Sequence, residues 1–216
     1  TSFVAGAFSP HKSRDYALSL SLDNATIAHN GSNTSFSHAA YDYTASAEDG
    51  QQTELSIEAL TSDLIPASLT PIALDASQKR TTDAISHEMA FVIEKFILTG
   101  NGFDLDLNGS VSLKNSELLP LVDVRVTANG IITVLKALQE KNYISADISQ
   151  IVIGSLKRIA PEWNEQSTTA LQFYVRRSAT EPFMIGKMKA DELLAIALKE
   201  WYIRASTTPA PAAVEQ

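Results

Sequence analysis

The chain has 216 residues, 44% hydrophobic and 19% charged, enough to bury a core and too apolar for global disorder. A net charge of -8, a pI of about 5.0 and the lack of any basic run exclude a general nucleic-acid binder. The absence of cysteine removes disulfides, thiolate metal sites and a cysteine nucleophile together.

From Tyr16 to about Leu60 the pattern is β. Leu18, Leu20 and Leu22 alternate with serines, Asn30-Gly31-Ser32-Asn33 signals a turn, and Phe36 to Tyr43 alternate again. Glu48-Asp49-Gly50 turns the chain, and Leu55, Ile57 and Ala59 resume the alternation, which predicts a meander. Pro66 and Pro71 predict a loop. Lys79-Arg80 and Arg176-Arg177 are adjacent basic pairs and read as solvated surface.

Residues 82–99 fit two periods. Ile85, Met89, Val92 and Phe96 have helical spacing, whereas His87, Met89, Phe91 and Ile93 alternate, with Phe96 and Leu98 following a bulge at Glu94-Lys95. A strand is preferred, because a hairpin partner follows at once. That partner, "FDLDLNGSVSL", begins like a calcium loop with Asp104, Asp106, Asn108 and Gly109. Position 12 of such a loop is Asn115 instead of a bidentate Glu, Glu117 comes too late, and the flanks have strand spacing. The stretch is therefore expected to be a hairpin with a three-residue loop at Leu107-Asn108-Gly109, Gly109 taking the left-handed position. This register pairs Leu105 with Val111 and Phe103 with Leu113, keeping one face apolar.

A strand from Leu121 to Thr127 precedes Asn129-Gly130, and then the period changes. Ile131, Val134, Leu135 and Leu138 predict a helix to about Asn142. Ser145 is the expected N-cap of a second helix bearing Ile148, Ile151, Val152, Leu156 and Ile159, stopped by Pro161. Strands follow at 168–176 and 184–188. Asp191 is expected to cap a last helix carrying Leu194, Ala197, Leu198 and Trp201. The reading is one domain over residues 1–205, with a disordered Pro/Ala tail at 206–216. Its class is α+β: a long, curved antiparallel meander covered by two to three C-terminal amphipathic helices.

Little in the chain resembles catalytic chemistry. His11, His29, His38 and His87 lack metal-ligand spacing, and His87-Glu88 has no second histidine. There is no G-x-S-x-G elbow and no phosphate loop; Gly100-Asn101-Gly102 leads into a strand instead of a helix. Asp104 and Asp106, about 7 Å apart on one strand face, suit a charged hairpin edge better than a glycosidase pair. No metal, cofactor or catalytic residue is assigned. The N-x-[ST] matches at Asn24, Asn30, Asn33 and Asn108 are attributed to chance in a Ser/Thr/Asn-rich chain.

The segments "FILTGNGFDLDLNGSVSL" and "VDVRVTANGIITVLKALQEKNYI", with the helix ended by Pro161, carry a resemblance over roughly residues 85–160. They resemble an alphaproteobacterial periplasmic family known as domain of unknown function number twenty-one twenty-five, whose members are AsmA-like. The YdgA-type periplasmic family is the rival. The resemblance implies a periplasmic, non-enzymatic envelope protein that holds a lipid or another apolar ligand, or an envelope protein partner, between sheet and helices. It also implies membrane association through an N-terminal anchor, which is expected to precede Thr1. Phe103, Leu105, Leu135, Leu138, Ile151, Leu156 and Trp201 are the candidates to line that groove. The alternative is a hydrolase whose site the sequence does not reveal.

Overall fold

The computed structural model describes residues 2–5, 16–46, 50–82, 88–114, 119–166 and 169–207. Eleven strands form one antiparallel sheet in unbroken chain order. Strands β1 (Ser2–Ala5), β2 (Tyr16–His29), β3 (Ser32–Ser46), β4 (Gly50–Ser62) and β5 (Ile72–Thr82) form the first half. Strands β6 (Met89–Gly100), β7 (Phe103–Leu113), β8 (Leu121–Asn129) and β9 (Leu171–Arg177) continue it, and the two-residue strands β10 (Met184–Ile185) and β11 (Met188–Lys189) finish it. Between β8 and β9 the chain leaves the sheet for helices α1 (Ile131–Glu140) and α2 (Ala146–Ile159); α3 (Ala190–Thr207) follows β11. The expected α+β meander with C-terminal helices is the observed architecture.

Residues 89–100 are a strand, as the alternation predicts. Its bulge sits where the phase breaks: Ile93 pairs with Gly109 and Phe96 with Leu107, so Glu94 and Lys95 together oppose one residue. A second irregularity lies at Glu58-Ala59, where Ala59 has φ 50°. Such bulges bend and twist a sheet.

The hairpin expectation is corrected. The 103–113 hairpin does not exist: Phe103–Leu113 is one continuous strand, and the chain reverses before it, at Asn101-Gly102, with Gly100 opposite Phe103. This stretch holds two Asn-Gly signals seven residues apart, Asn101-Gly102 and Asn108-Gly109, and the unbroken run of β7 goes with the earlier one. Gly109 does have a positive φ, 145°, but inside a strand. It is required because a Cβ there would lie 2.1 Å from the Asp123 carbonyl oxygen of β8. The loop expected at Pro66 and Pro71 is present between β4 and β5, with a 3₁₀ turn at Ala67–Leu69 inside it.

The helices begin and end for local reasons. Gly130, at φ 66°, is the N-cap of α1, and a Cβ there would strike the Gly102 carbonyl oxygen at 1.9 Å. Ser145 caps α2 by accepting from the Ile148 N–H. Helix α3 starts at Ala190, so Asp191 lies within its first turn instead of capping it. The same helix runs two residues into the expected tail. Residues 208–216 lie outside the described residues, as do His11, His87, Asn115 and Glu117.

Burial is concentrated at one end. Ala160, Trp163 and Leu171 form a small core, with Ile131, Ile132, Leu156 and Phe173 packed against it. Leu69 is buried nearby in sequence-distant support, and its carbonyl accepts from Asn101 N–H. Tyr143 Oη ties the helix pair to the β4–β5 loop through the Leu64 carbonyl, at 2.8 Å. Helix α3 packs chiefly on α2 and β11, leaving Leu194 and Leu198 exposed. Helices α1 and α2 supply the cover, the lower number of the two to three expected.

Candidate functional site

The register aligns side chains into rows across the sheet, because directly paired residues share a face. One row runs Leu22, Ala39, Ile57, Leu74, Leu98, Leu105, Ala128, Leu171. The next runs Leu20, Tyr41, Leu55, Ala76, Phe96, Leu107, Val126, Phe173. Every position in both rows is apolar or tyrosine over eight strands, a width of about 34 Å at ~4.8 Å per strand. A third row, Leu18 to Val175, admits Thr53 and Gln78; a fourth, Tyr16 to Arg177, admits Gln51 and Arg80. The face thus grades from apolar beside the helices to polar at the opposite strand ends.

The other face is polar. Ser21, Ser56, Asp75, Asp106, Thr127 and Gln172 belong to one of its rows. Its charges are largely paired: Lys95 with Asp75, and Arg176 with Asp123 at 2.9 Å. Asn129 Nδ2 donates to both oxygens of Asp104, at 3.1 and 2.9 Å. With Asp104 held by an amide and residues 104–108 extended in a sheet, the calcium-like spelling corresponds to strand alternation. Among the described residues, no three His, Asp or Glu side chains converge as metal ligands.

Between β2 and β7 only Ala25 falls among the buried hydrophobic residues of the strands. Among the described residues, the apolar rows are shielded sideways by neighbouring strands, not from above. In their middle lies an open hollow of about 270 Å³, lined by Tyr41, Leu55, Ala76, Ile93, Phe96 and Leu107, with Thr53, Ser77, Gln78 and Lys95 on its rim. A larger cavity, about 380 Å³, lies at the β9 edge under Ile159 and Trp163. It is mixed in lining, and its charged groups already have partners: Arg176 on Asp123, and Lys187 on Glu162 at 3.1 Å. The hollow is the better apolar site.

The groove residues expected from the sequence divide. Phe103 and Leu105 lie on the apolar face at its helix end, half-buried. Leu135 is buried in α1, Leu138 and Ile151 are half-buried on α1 and α2, and Leu156 packs on the small core. Trp201 is in α3, but its side chain lies outside the described residues. None of the others lines the hollow. The hollow's own residues come from five strands, β3 to β7, and only the register assembles them.

His38 pairs across strands with Asp23, Nδ1 to Oδ1 at 2.6 Å, not with Asp42, which accepts from Ser19. The hydrogen bond to Asp23, followed by the charges of Asp23 and Glu58, raises the imidazole pKa above its ordinary value. A folded-state pKa above the unfolded one stabilises the protein fully below about pH 6.5, and this contribution is lost as pH rises through the folded value. An NMR titration should therefore give His38 a midpoint above about 6.5, returning toward that value in Asp23→Asn. A wild-type midpoint equal to that of the variant would mean the pair does not form in solution.

Comparison with family models, with curated proteins and with solved structures finds no match for this chain.

Proposed function

We propose that this chain is a non-enzymatic, periplasmic protein of the bacterial cell envelope that binds the acyl part of a lipid along its open sheet face. The observation that carries this reading is the pair of wholly apolar rows, continuous over eight strands and covered by helices at one end only. A one-sided sheet normally buries its apolar face against a second layer. A half-buried apolar face of this extent, without a second layer among the described residues, marks a binding surface, and a groove of hydrocarbon width gains about 0.8 kcal/mol per CH₂ removed from water. The Ser/Thr/Asn-rich first half and the resemblance over residues 85–160 to AsmA-like envelope proteins support the compartment. No helix among the described residues is long and apolar enough to cross a membrane. The ligand is placed on the open face, because the sheet–helix corner is occupied by Trp163, Leu171 and their neighbours.

A hydrolase reading finds less support. His38, with its carboxylate partner, is half-exposed on the polar face and lines neither the hollow nor the larger cavity.

A neutral fluorescent acyl probe, the methyl ester of cis-parinaric acid, should bind the folded protein saturably. Leu107→Asp, which puts a charge in the second apolar row, should abolish binding. Thr127→Asp, on the polar face, should leave it intact. Equal binding by both variants, or no saturable binding to the wild type, would overturn the proposal. Fractionation of the native host should find the protein with the envelope.

A further inference from the structure

We propose that the bound lipid is an anionic amphiphile whose head group is held by Arg80, with its chain running from there into the hollow; this rests on the acyl-binding reading above. Arg80 is half-buried on the apolar face, in the row that also holds Gln51 and Phe91. Its guanidinium lies 5.7 Å from the centre of the Phe91 ring, and its only hydrogen bond among the described residues is a long one, 3.4 Å, to Gln51 Oε1. No carboxylate pairs with it among the described residues, although the chain carries 25 acidic residues against 17 basic ones.

The other cations nearby are committed. Lys95, on the rim of the hollow, pairs with Asp75. Arg177, in the same row as Arg80, donates to the carbonyls of Leu119 and Pro120 at 2.6 and 2.9 Å. Among the described residues, Arg80 alone combines a guanidinium edge without a carboxylate partner with a position on the apolar face. A cation left half-desolvated without a counter-charge is costly, and an anion that reaches it gains a charge-assisted, bidentate contact.

Position supplies the rest. Ala76, Gln78 and Arg80 follow one another on the same face of β5, about 7 Å apart per step. Ala76 and Gln78 line the hollow, so Arg80 stands one step beyond its polar end. The rows on the far side of the hollow are wholly apolar. A molecule with one anionic end and a hydrocarbon chain matches this order: head on Arg80, first methylenes beside Gln78 and Thr53, and chain over Leu55, Phe96 and Leu107. A neutral lipid would leave Arg80 without its partner, and a free anion would leave the hollow empty. The net charge of -8 opposes non-specific attraction of anions, so preference for an anionic ligand must be local.

The test compares cis-parinaric acid with its methyl ester on the folded chain above pH 7, where the acid is ionised. Wild type should bind the acid about tenfold more tightly than the ester, the scale of one charge-assisted contact. Arg80→Gln should lose that preference while binding the ester as well as wild type does, and Arg80→Lys should keep part of it. Circular dichroism of each variant verifies the fold. Inorganic phosphate at millimolar concentration should not displace the acid, which separates an amphiphile site from a simple anion site. Ester binding with no preference for the acid, a preference that survives Arg80→Gln, or displacement by phosphate would overturn this inference and leave acyl binding standing. Failure of both probes to bind would overturn both readings.

Discussion

Gly109→Val should destabilise the protein by about 3 kcal/mol or more, the scale of a strained backbone combined with overpacking. The new Cβ would lie 2.1 Å from the Asp123 carbonyl oxygen and 2.7 Å from Val124 Cα, and both atoms belong to the backbone of β8. Neither can rotate away as a side chain would, so the β7–β8 ladder must open. The residue's φ of 145° adds strain for any side chain. Gly31→Ala provides the comparison. Gly31 also has positive φ, 78°, but nothing lies within 4 Å of its Cβ position, so it should cost only ~1–2 kcal/mol, the left-handed penalty alone. Asn108→Ala, at an exposed strand position, should cost less than either. Urea melts of the three variants measure the order. If Gly109→Val proved no worse than Gly31→Ala, the close approach of β7 to β8 would be wrong.

The same glycine shows how far a sequence can be read. Its need for a special backbone was legible from Asn-Gly within an alternating run, but the reason was not. Turn chemistry is local, and Asn101-Gly102 and Asn108-Gly109 offer it equally. What decides between them is whether β7 can continue past Asn108 to pair with β8, a contact between distant segments. The alternation of Leu18-Leu20-Leu22, of Val122-Val124-Val126 and of the α1 and α2 stripes needed no such information, because one apolar face prints its period directly. Strand β5 was hidden for the opposite reason. Ile72, Leu74 and Ala76 start an apolar face, but Gln78 and Arg80 continue it with polar groups, so the period fades midway. Arg80 looked like half of a solvated basic pair with Lys79. Only the register with Gln51, 29 residues earlier, and with Phe91 puts it on the apolar face. The hollow is of the same kind: its lining comes from five strands, and no local window contains two neighbouring walls.

Leu171→Ala should cost about 2–5 kcal/mol, the range for deleting a fully enclosed leucine, whereas Leu18→Ala, in the same sheet, should cost well under half of that. Leu171 is 1% exposed and sits in the core with Ala160 and Trp163; Leu18 is 39% exposed near the outer edge of the apolar face. Both are leucines on the apolar side of a long antiparallel sheet, so secondary-structure propensity cannot separate them. What differs is the second layer. Helices α1 and α2 close over Leu171, and removing its methyl groups leaves a cavity whose rigid walls, the Trp163 ring among them, cannot collapse to fill it. Above Leu18 no protein layer is described, and truncation there removes little shielding. The asymmetry has a further consequence for ligand binding. Acyl probe bound on the open face should stabilise wild type by mass action. It should not rescue Leu171→Ala beyond that same increment, because the lost contacts lie under the helices and not beneath the ligand. Chemical melts of the two variants, with and without the probe, measure both differences. Equal costs for Leu171→Ala and Leu18→Ala would mean that a second layer covers the outer strands in solution, and the open-face account of binding would fall with it.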